Sequence, residues 1–191
     1  MSWETVEPKE YRPYLRLLVT SICDARCTFC RVGGEGRHET IGRLLTPAEW
    51  GELVRIAHHV GFRHIKLTGG EPLVRKDIAD VVRAIRKAGE FELLNLGTNG
   101  IKLQYHARDL RMAGLGSVTV SVNTLNRVRY IALVGQDNLT DVIEGIKMCR
   151  DVGLSTLFNY TLMKSNIDEF DSILRFAEEM RAKVKIMELH N

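Results

Sequence analysis

Three cysteines, Cys23, Cys27 and Cys30, fall within eight residues in the stretch SICDARCTFCRVG, and no fourth cysteine lies nearby. Three intervening residues and then two allow one tight loop to carry all three sulfurs to the same side. Such a set suits a zinc ion or a 4Fe-4S cluster. A structural zinc site closes with four protein ligands, so zinc would require His38 or another residue to complete the set. A cluster held by three thiolates keeps one iron open. Burial of the three cysteines without any metal fits less well, because Asp24, Arg26 and Thr28 alternate with them in a polar loop. Cys149 is different: it continues the helical spacing of Leu139, Val142 and Ile146, where a small apolar core residue belongs.

Further polar and glycine-rich clusters follow at intervals. TGGEP occupies 68–72, TNG occupies 98–100, and Ser121 and Asn123 close the run SVTVSVN. In the first, Gly69 and Gly70 allow close backbone approach, Pro72 fixes a turn, and Glu71 offers an acceptor for a cationic group. Thr98, Asn99, Ser121 and Asn123 suit a ribose or a carboxylate, although strand ends also carry such residues to satisfy turns. Basic residues in the apolar runs, Arg16, Lys66 and Lys185, imply an anion if their strands turn them inward, and a solvated face otherwise. Glu188 and His190, near the end of the sequence, are either proton carriers or substrate contacts, or belong to a frayed terminus.

The elements that must position these residues alternate. Apolar runs at 14–20, 64–70, 93–100, 117–123, 155–163 and 184–190 read as strands. Amphipathic stretches at 46–61, 77–89, 105–114, 138–153 and 166–180 read as helices. The first helix carries a capping box, with Thr46 at the cap, Pro47 at the first helical position and Glu49 reaching back, and Gly61 stops it. Its core face is Trp50, Leu53, Val54, Ala57 and Val60. Six strands joined by five helices, with right-handed crossovers, predict an α/β fold: an open, partial (β/α)6 barrel resembling a TIM barrel with a parallel sheet. Every cluster named above then lies at the carboxyl end of a strand, the edge where sites form in such folds.

The 191 residues, 45% of them hydrophobic, suit a single domain, 1–191, with an N-terminal arm at 1–13 and a loop at 31–43 after the cysteines. Lys plus Arg number 27 against 24 Asp plus Glu, a net charge of +3 without long runs of one sign, which accommodates a small anion and gives no indication of nucleic acid. No apolar run is long enough to span a membrane and the first residues lack the order of a signal peptide, so a cytoplasmic protein without a membrane partner is expected.

The motif Cys-x-x-x-Cys-x-x-Cys directly after the first strand resembles that of the radical S-adenosylmethionine superfamily. Within it the chain is most similar to the GTP 3′,8-cyclases of molybdenum cofactor synthesis, from LRLLVTSICDARCTFC through LTGGEPLVRKDI, TNG and SVTVSVNTL to VIEGI and KIMEL. The resemblance implies a 4Fe-4S cluster on Cys23, Cys27 and Cys30 whose open iron binds S-adenosylmethionine. It implies cleavage of the sulfonium to methionine and a 5′-deoxyadenosyl radical, which abstracts hydrogen from a substrate. It assigns the TGGEP loop to the methionine ammonium and Phe29 to the adenine side, where Phe29 is otherwise a loop anchor. It also implies a small-molecule substrate, a purine nucleotide being favoured, and a low-potential electron donor such as flavodoxin or ferredoxin. Substrate contacts fall on Arg16, His64, Lys66, Asn159 and Lys185. The pattern departs in three places. His64 and Lys66 stand where the cyclases have lysine and arginine, and Lys185 where they have arginine. Leu157 replaces a lysine that grips substrate. No cysteine follows Cys149, whereas the cyclases carry three more for a second cluster. A radical enzyme acting on another small molecule or a peptide, and a non-catalytic iron-sulfur or zinc module, are the alternatives.

Overall fold

The computed structural model describes residues 14–30 and 42–189. The expected N-terminal arm, most of the 31–43 loop, His38 and His190 lie outside the described residues. Six strands form one sheet in the order of the chain: β1 (Tyr14–Thr20), β2 (His64–Gly69), β3 (Leu93–Thr98), β4 (Ser117–Ser121), β5 (Ser155–Leu162) and β6 (Lys183–Glu188). Every neighbouring pair is parallel. This is the open, barrel-like α/β sheet expected from the alternation. β1 and β6 are its two edges.

Alternate residues define its two faces. Leu17, Val19, Ile65, Leu67, Leu94, Leu96, Val118, Val120, Phe158 and Tyr160 are buried in the core. The helices α1 (Pro47–His59), α2 (Ile78–Ala88), α3 (Leu103–Met112), α5 (Leu139–Asp151) and α6 (Phe170–Glu179) carry apolar faces that bury with them. Along the other face, Arg16, Lys66 and Asn95 are register neighbours, as are Gly97, Thr119 and Leu157, and Ser121, Asn159 and Lys185. This face is polar and basic because it lines a cavity.

The capping box of α1 is present in both halves: Glu49 N donates to Thr46 Oγ1 at 3.3 Å, and Thr46 N donates to Glu49 Oε2 at 2.8 Å. Trp50, Val54 and Ala57 bury as expected, but Leu53 is 39% and Val60 65% exposed. The sheet edge at β1 leaves α1 packed chiefly on α2, which covers a narrower stripe than the spacing suggested. The last predicted helix begins as a 3-10 turn, Ile167–Glu169, before α6 proper.

A sixth helix, α4 (Arg127–Val134), lies between β4 and α5, where no helix was expected. Its signals are local. Asn126 caps it by accepting from Arg129 N at 3.0 Å, and Gly135 ends it at φ 82°, a left-handed conformation that glycine adopts without strain. The helix is only eight residues long, and its apolar residues form no extended stripe, so the 3.6-residue pattern is faint.

Candidate functional site

The β1 strand leads straight into the cysteine loop. Thr20, buried at the strand end, accepts from Ile22 N through its hydroxyl at 3.1 Å and turns the chain. The backbone of the TGGEP loop then extends the β1–β2 ladder beyond the strands: Gly70 N donates to Thr20 O at 2.9 Å and Glu71 N to Ile22 O at 2.7 Å. This contact explains the glycine pair. A Cβ on Gly70 would lie 2.2 Å from Ile22 O, and one on Gly69 would lie 2.2 Å from Thr20 O. Only backbone without side chains can press this closely against the chain entering the cysteines.

The far side of the cysteine loop is fastened by α4 and the β3 end. Arg26 N donates to Val134 O at 3.1 Å and Thr28 N to Leu133 O at 2.9 Å. Asp24, between the first two cysteines, is held from three directions: by Asn99 Nδ2 on Oδ1 at 2.8 Å, by Lys102 Nζ at 2.8 Å from Oδ2, and by Gln136 Nε2 on its backbone carbonyl at 2.9 Å. The interleaved aspartate is therefore an anchor, a role that no local sequence signal carried, since its partners lie 75 and more residues away.

Cys23 and Cys27 are half-buried and Cys30 is exposed, and all three line one cavity of about 270 Å³. Burial pushes the Cys27 thiol up to about 12, and the closeness of Cys23 and Cys30 adds to the effect. The Cys23 thiol is raised as well, chiefly by burial. Thiolates gathered this way are unfavourable unless a cationic centre takes them. Among the described residues no group of three or more His, Cys, Asp or Glu is arranged to hold a single metal ion. The donor set, all sulfur and sharing one wall, fits a cluster whose irons divide the thiolates between them better than a single zinc, which would draw four ligands to one point.

The same cavity is lined by Phe29, Gly70, Glu71, Thr98, Asn99, Ser121, Asn123 and Asn159, so most of the residues singled out in the sequence come together. Gly69 and Pro72 support the loop from behind and do not line it. Pro72 is buried at the first position of the 3-10 turn Pro72–Val74.

Several of these side chains are already engaged. Glu71, 1% exposed, accepts from Leu73 N at 2.9 Å and Thr98 Oγ1 at 2.7 Å on one oxygen, and from Asn99 N at 2.6 Å on the other. Burial pushes its carboxyl up to about 7 despite these donors. The carboxylate thus ties the β2 loop to the β3 loop, a role beyond the acceptor expected from the sequence, while it still lines the cavity. Asn99 is similarly occupied, its amide on Asp24 and its carbonyl oxygen accepting from Ile101 N at 3.0 Å. Asn123 Oδ1 accepts from Thr161 N at 2.8 Å, and Asn166, fully buried, donates to Asn123 O and Thr161 O, each at 2.9 Å. Ser121 and Asn159, in register across β4 and β5, keep side-chain polar groups without a hydrogen bond to a described residue.

Below this cavity a second one, of about 390 Å³, runs along the concave face toward the amino ends of the strands. Lys66 lines both. Its ammonium is held below the ordinary lysine range, by burial first and then by Arg16 and Lys185; register puts all three on this face, although Arg16 lines neither cavity. His64 does not join them. Its ring lies 3.0 Å from Glu92 Oε2, and it lines neither cavity. Glu188 is exposed at the end of edge strand β6 and lines neither cavity. Cys149 is fully buried in the core, as its spacing implied.

Residues that the sequence did not single out complete the site. Tyr130, Leu133 and Val134 of α4, with Thr124, form one wall of the upper cavity. Arg75, 5% exposed, donates to Val19 O and Leu45 O, each at 2.9 Å, and pairs with Asp77, bracing β1 behind the cysteine loop. Among the described residues no helix is long and apolar enough to cross a membrane.

Comparison with known proteins agrees with this geometry. The chain matches the Radical SAM superfamily over residues 17–177. It is 36% identical over 178 residues to the probable GTP 3′,8-cyclase of Sulfurisphaera tokodaii, covering 92% of this chain and 56% of that one. It is 36% identical over 176 residues to that of Pyrococcus horikoshii, with 92% and 55% covered. The chain therefore spans rather more than half the length of these relatives. Among solved structures, SuiB of Streptococcus suis bound to S-adenosylmethionine shares the fold with a TM-score of 0.82 at 20% identity, covering 95% of this chain and 41% of that one. With three cysteines at the end of the first strand and a glycine-rich loop pressed against them, the chain belongs to the radical SAM superfamily, whose cofactors are a 4Fe-4S cluster and S-adenosylmethionine.

Proposed function

We propose that this chain is the radical-generating domain of a GTP 3′,8-cyclase type of enzyme in molybdenum cofactor synthesis, acting on a purine nucleotide. The observation that carries the reading is the continuity of the two cavities: Lys66 and Thr119 line both, so a cationic floor adjoins the cysteine pocket. Bound there, the cluster supplies an electron from a low-potential donor such as flavodoxin or ferredoxin, and S-adenosylmethionine supplies the radical that takes a substrate hydrogen.

The work left to the protein is positional. Cys23, Cys27 and Cys30 would hold the cluster. Gly70 would offer backbone to the amino-acid end of S-adenosylmethionine, while Glu71 and Thr98 keep the two loops in register. Ser121 and Asn159 offer hydrogen bonds to the ribose side, and Phe29 and Tyr130 shield the pocket from water. Arg16, Lys66 and Lys185 attract the anionic part of the substrate. Leu157, an apolar residue in the lower cavity, favours a second reading in which another anionic small molecule is the substrate.

Anaerobic reconstitution followed by reduction with dithionite and addition of S-adenosylmethionine tests both. Release of 5′-deoxyadenosine that rises with GTP, with or without a cyclised nucleotide, supports the first reading. Release that is indifferent to GTP and rises with another anion supports the second.

A further inference from the structure

The β5–β6 ladder sets Leu157 opposite Lys183 and Asn159 opposite Lys185. Partners in a parallel ladder turn their side chains to the same face, about 4.8 Å apart between strands. Leu157 and Lys183 accordingly line the same lower cavity, with Lys185, Lys66 and Arg181 beside them, and among the described residues no acidic side chain lines it. Ser117, Thr119 and Asn95 complete the floor. Asn95 Nδ2 donates to Ser117 Oγ at 2.8 Å, and Thr119 Oγ1 donates to Asn95 Oδ1 at 3.0 Å, so neither bond uses the hydroxyl hydrogen of Ser117.

The position of Lys66 has its own cause. A Cβ on Gly97 would lie 3.1 Å from Lys66 Cε and 3.7 Å from Nζ. The lysine stem therefore crosses β3 through the space a side chain would take, and its ammonium reaches the junction of the two cavities.

We propose that Lys183 supplies, from β6, a cation for an oligophosphate group held in the lower cavity, and that Gly97 is the positioning residue that lets Lys66 meet the same group. The inference rests on the nucleotide reading above and deepens it: a charge missing from β5 at Leu157 is carried one strand over. Lysines with no carboxylate between them among the described residues are mutually repulsive, and a chain of phosphates spanning Lys183, Lys185 and Lys66 relieves that repulsion.

The test is calorimetric titration of the reconstituted protein with tripolyphosphate and, separately, with GTP. Lys183→Met weakens both by about tenfold, Lys183→Arg restores most of the affinity, and Gly97→Ala weakens both by about threefold. Lys147→Met, which removes an exposed lysine paired with Glu144 on α5, controls for net charge and stays within about twofold. Nucleotide binding that falls no further in Lys183→Met than in Lys147→Met overturns the site and leaves the nucleotide reading standing. Tripolyphosphate binding that depends on Lys183, without GTP-stimulated 5′-deoxyadenosine, upholds the site and removes that reading. No binding of either ligand overturns both.

Discussion

Replacing Glu71 with alanine tests whether the two loops of the site are held together by one buried carboxyl. The substitution leaves the N–H groups of Leu73 and Asn99 without their acceptor, and the Thr98 hydroxyl must turn elsewhere. Each buried donor left unpaired costs about 1–3 kcal/mol, so for the two N–H groups about 2–6 kcal/mol is expected when the wild-type carboxyl is neutral. The sign of the pH dependence follows from the raised value. The carboxyl ionises at 4.5 ordinarily and only at about 7 in the fold. Between these values the unfolded chain gives up its proton while the folded one keeps it, so wild-type stability falls as pH rises from about 4.5 to about 7 and levels off above. At about 1.4 kcal/mol per pH unit, the loss amounts to at most about 3.5 kcal/mol. Glu71→Ala lacks this decline, and its penalty is therefore larger at pH 5 than at pH 8. Urea denaturation of the metal-free proteins at both pH values measures it. An equal penalty at the two values, or a larger one at pH 8, refutes the burial argument; a penalty below about 0.5 kcal/mol at pH 5 refutes the clamp.

Gly70→Ala forces a methyl group against Ile22 O and should break the Glu71 N–Ile22 O hydrogen bond, at a cost of about 2–4 kcal/mol, with reduced cluster content on reconstitution; unchanged iron content contradicts the close approach. Asp24→Ala removes the anchors to Asn99 and Lys102 while the backbone bond to Gln136 remains, so global stability drops by only about 1 kcal/mol, but iron is lost to a chelator several-fold faster; an unchanged rate shows the anchor to be idle. Cys27→Ala abolishes cluster assembly, whereas Cys149→Ala keeps it and destabilises the core by about 1–2 kcal/mol; iron analysis and melting curves separate the two.

The strands and their parallel order were legible because apolar runs alternating with amphipathic stretches leave few topologies open. The convergence of cysteines, TGGEP, TNG and Ser121 followed from the same alternation, since each cluster sits at a strand's carboxyl end. What escaped was long-range or faint. The anchoring of Asp24 depends on Asn99, Lys102 and Gln136, and no local pattern records such contacts. Helix α4 hides because its eight residues carry good caps and little periodicity. Leu53 and Val60 fit a helical stripe, yet with β1 at the sheet edge no described element covers them. Glu71 shows a subtler limit: its identity was readable, but the three donors it accepts from are a property of two loops meeting.

Electron paramagnetic resonance of the reduced, reconstituted protein reads whether the cluster keeps one iron open to S-adenosylmethionine. A 4Fe-4S signal, with about four irons per chain, whose g values change when S-adenosylmethionine is added is the predicted result. A chain that takes up one zinc in place of iron, or a cluster whose spectrum is indifferent to S-adenosylmethionine, contradicts it.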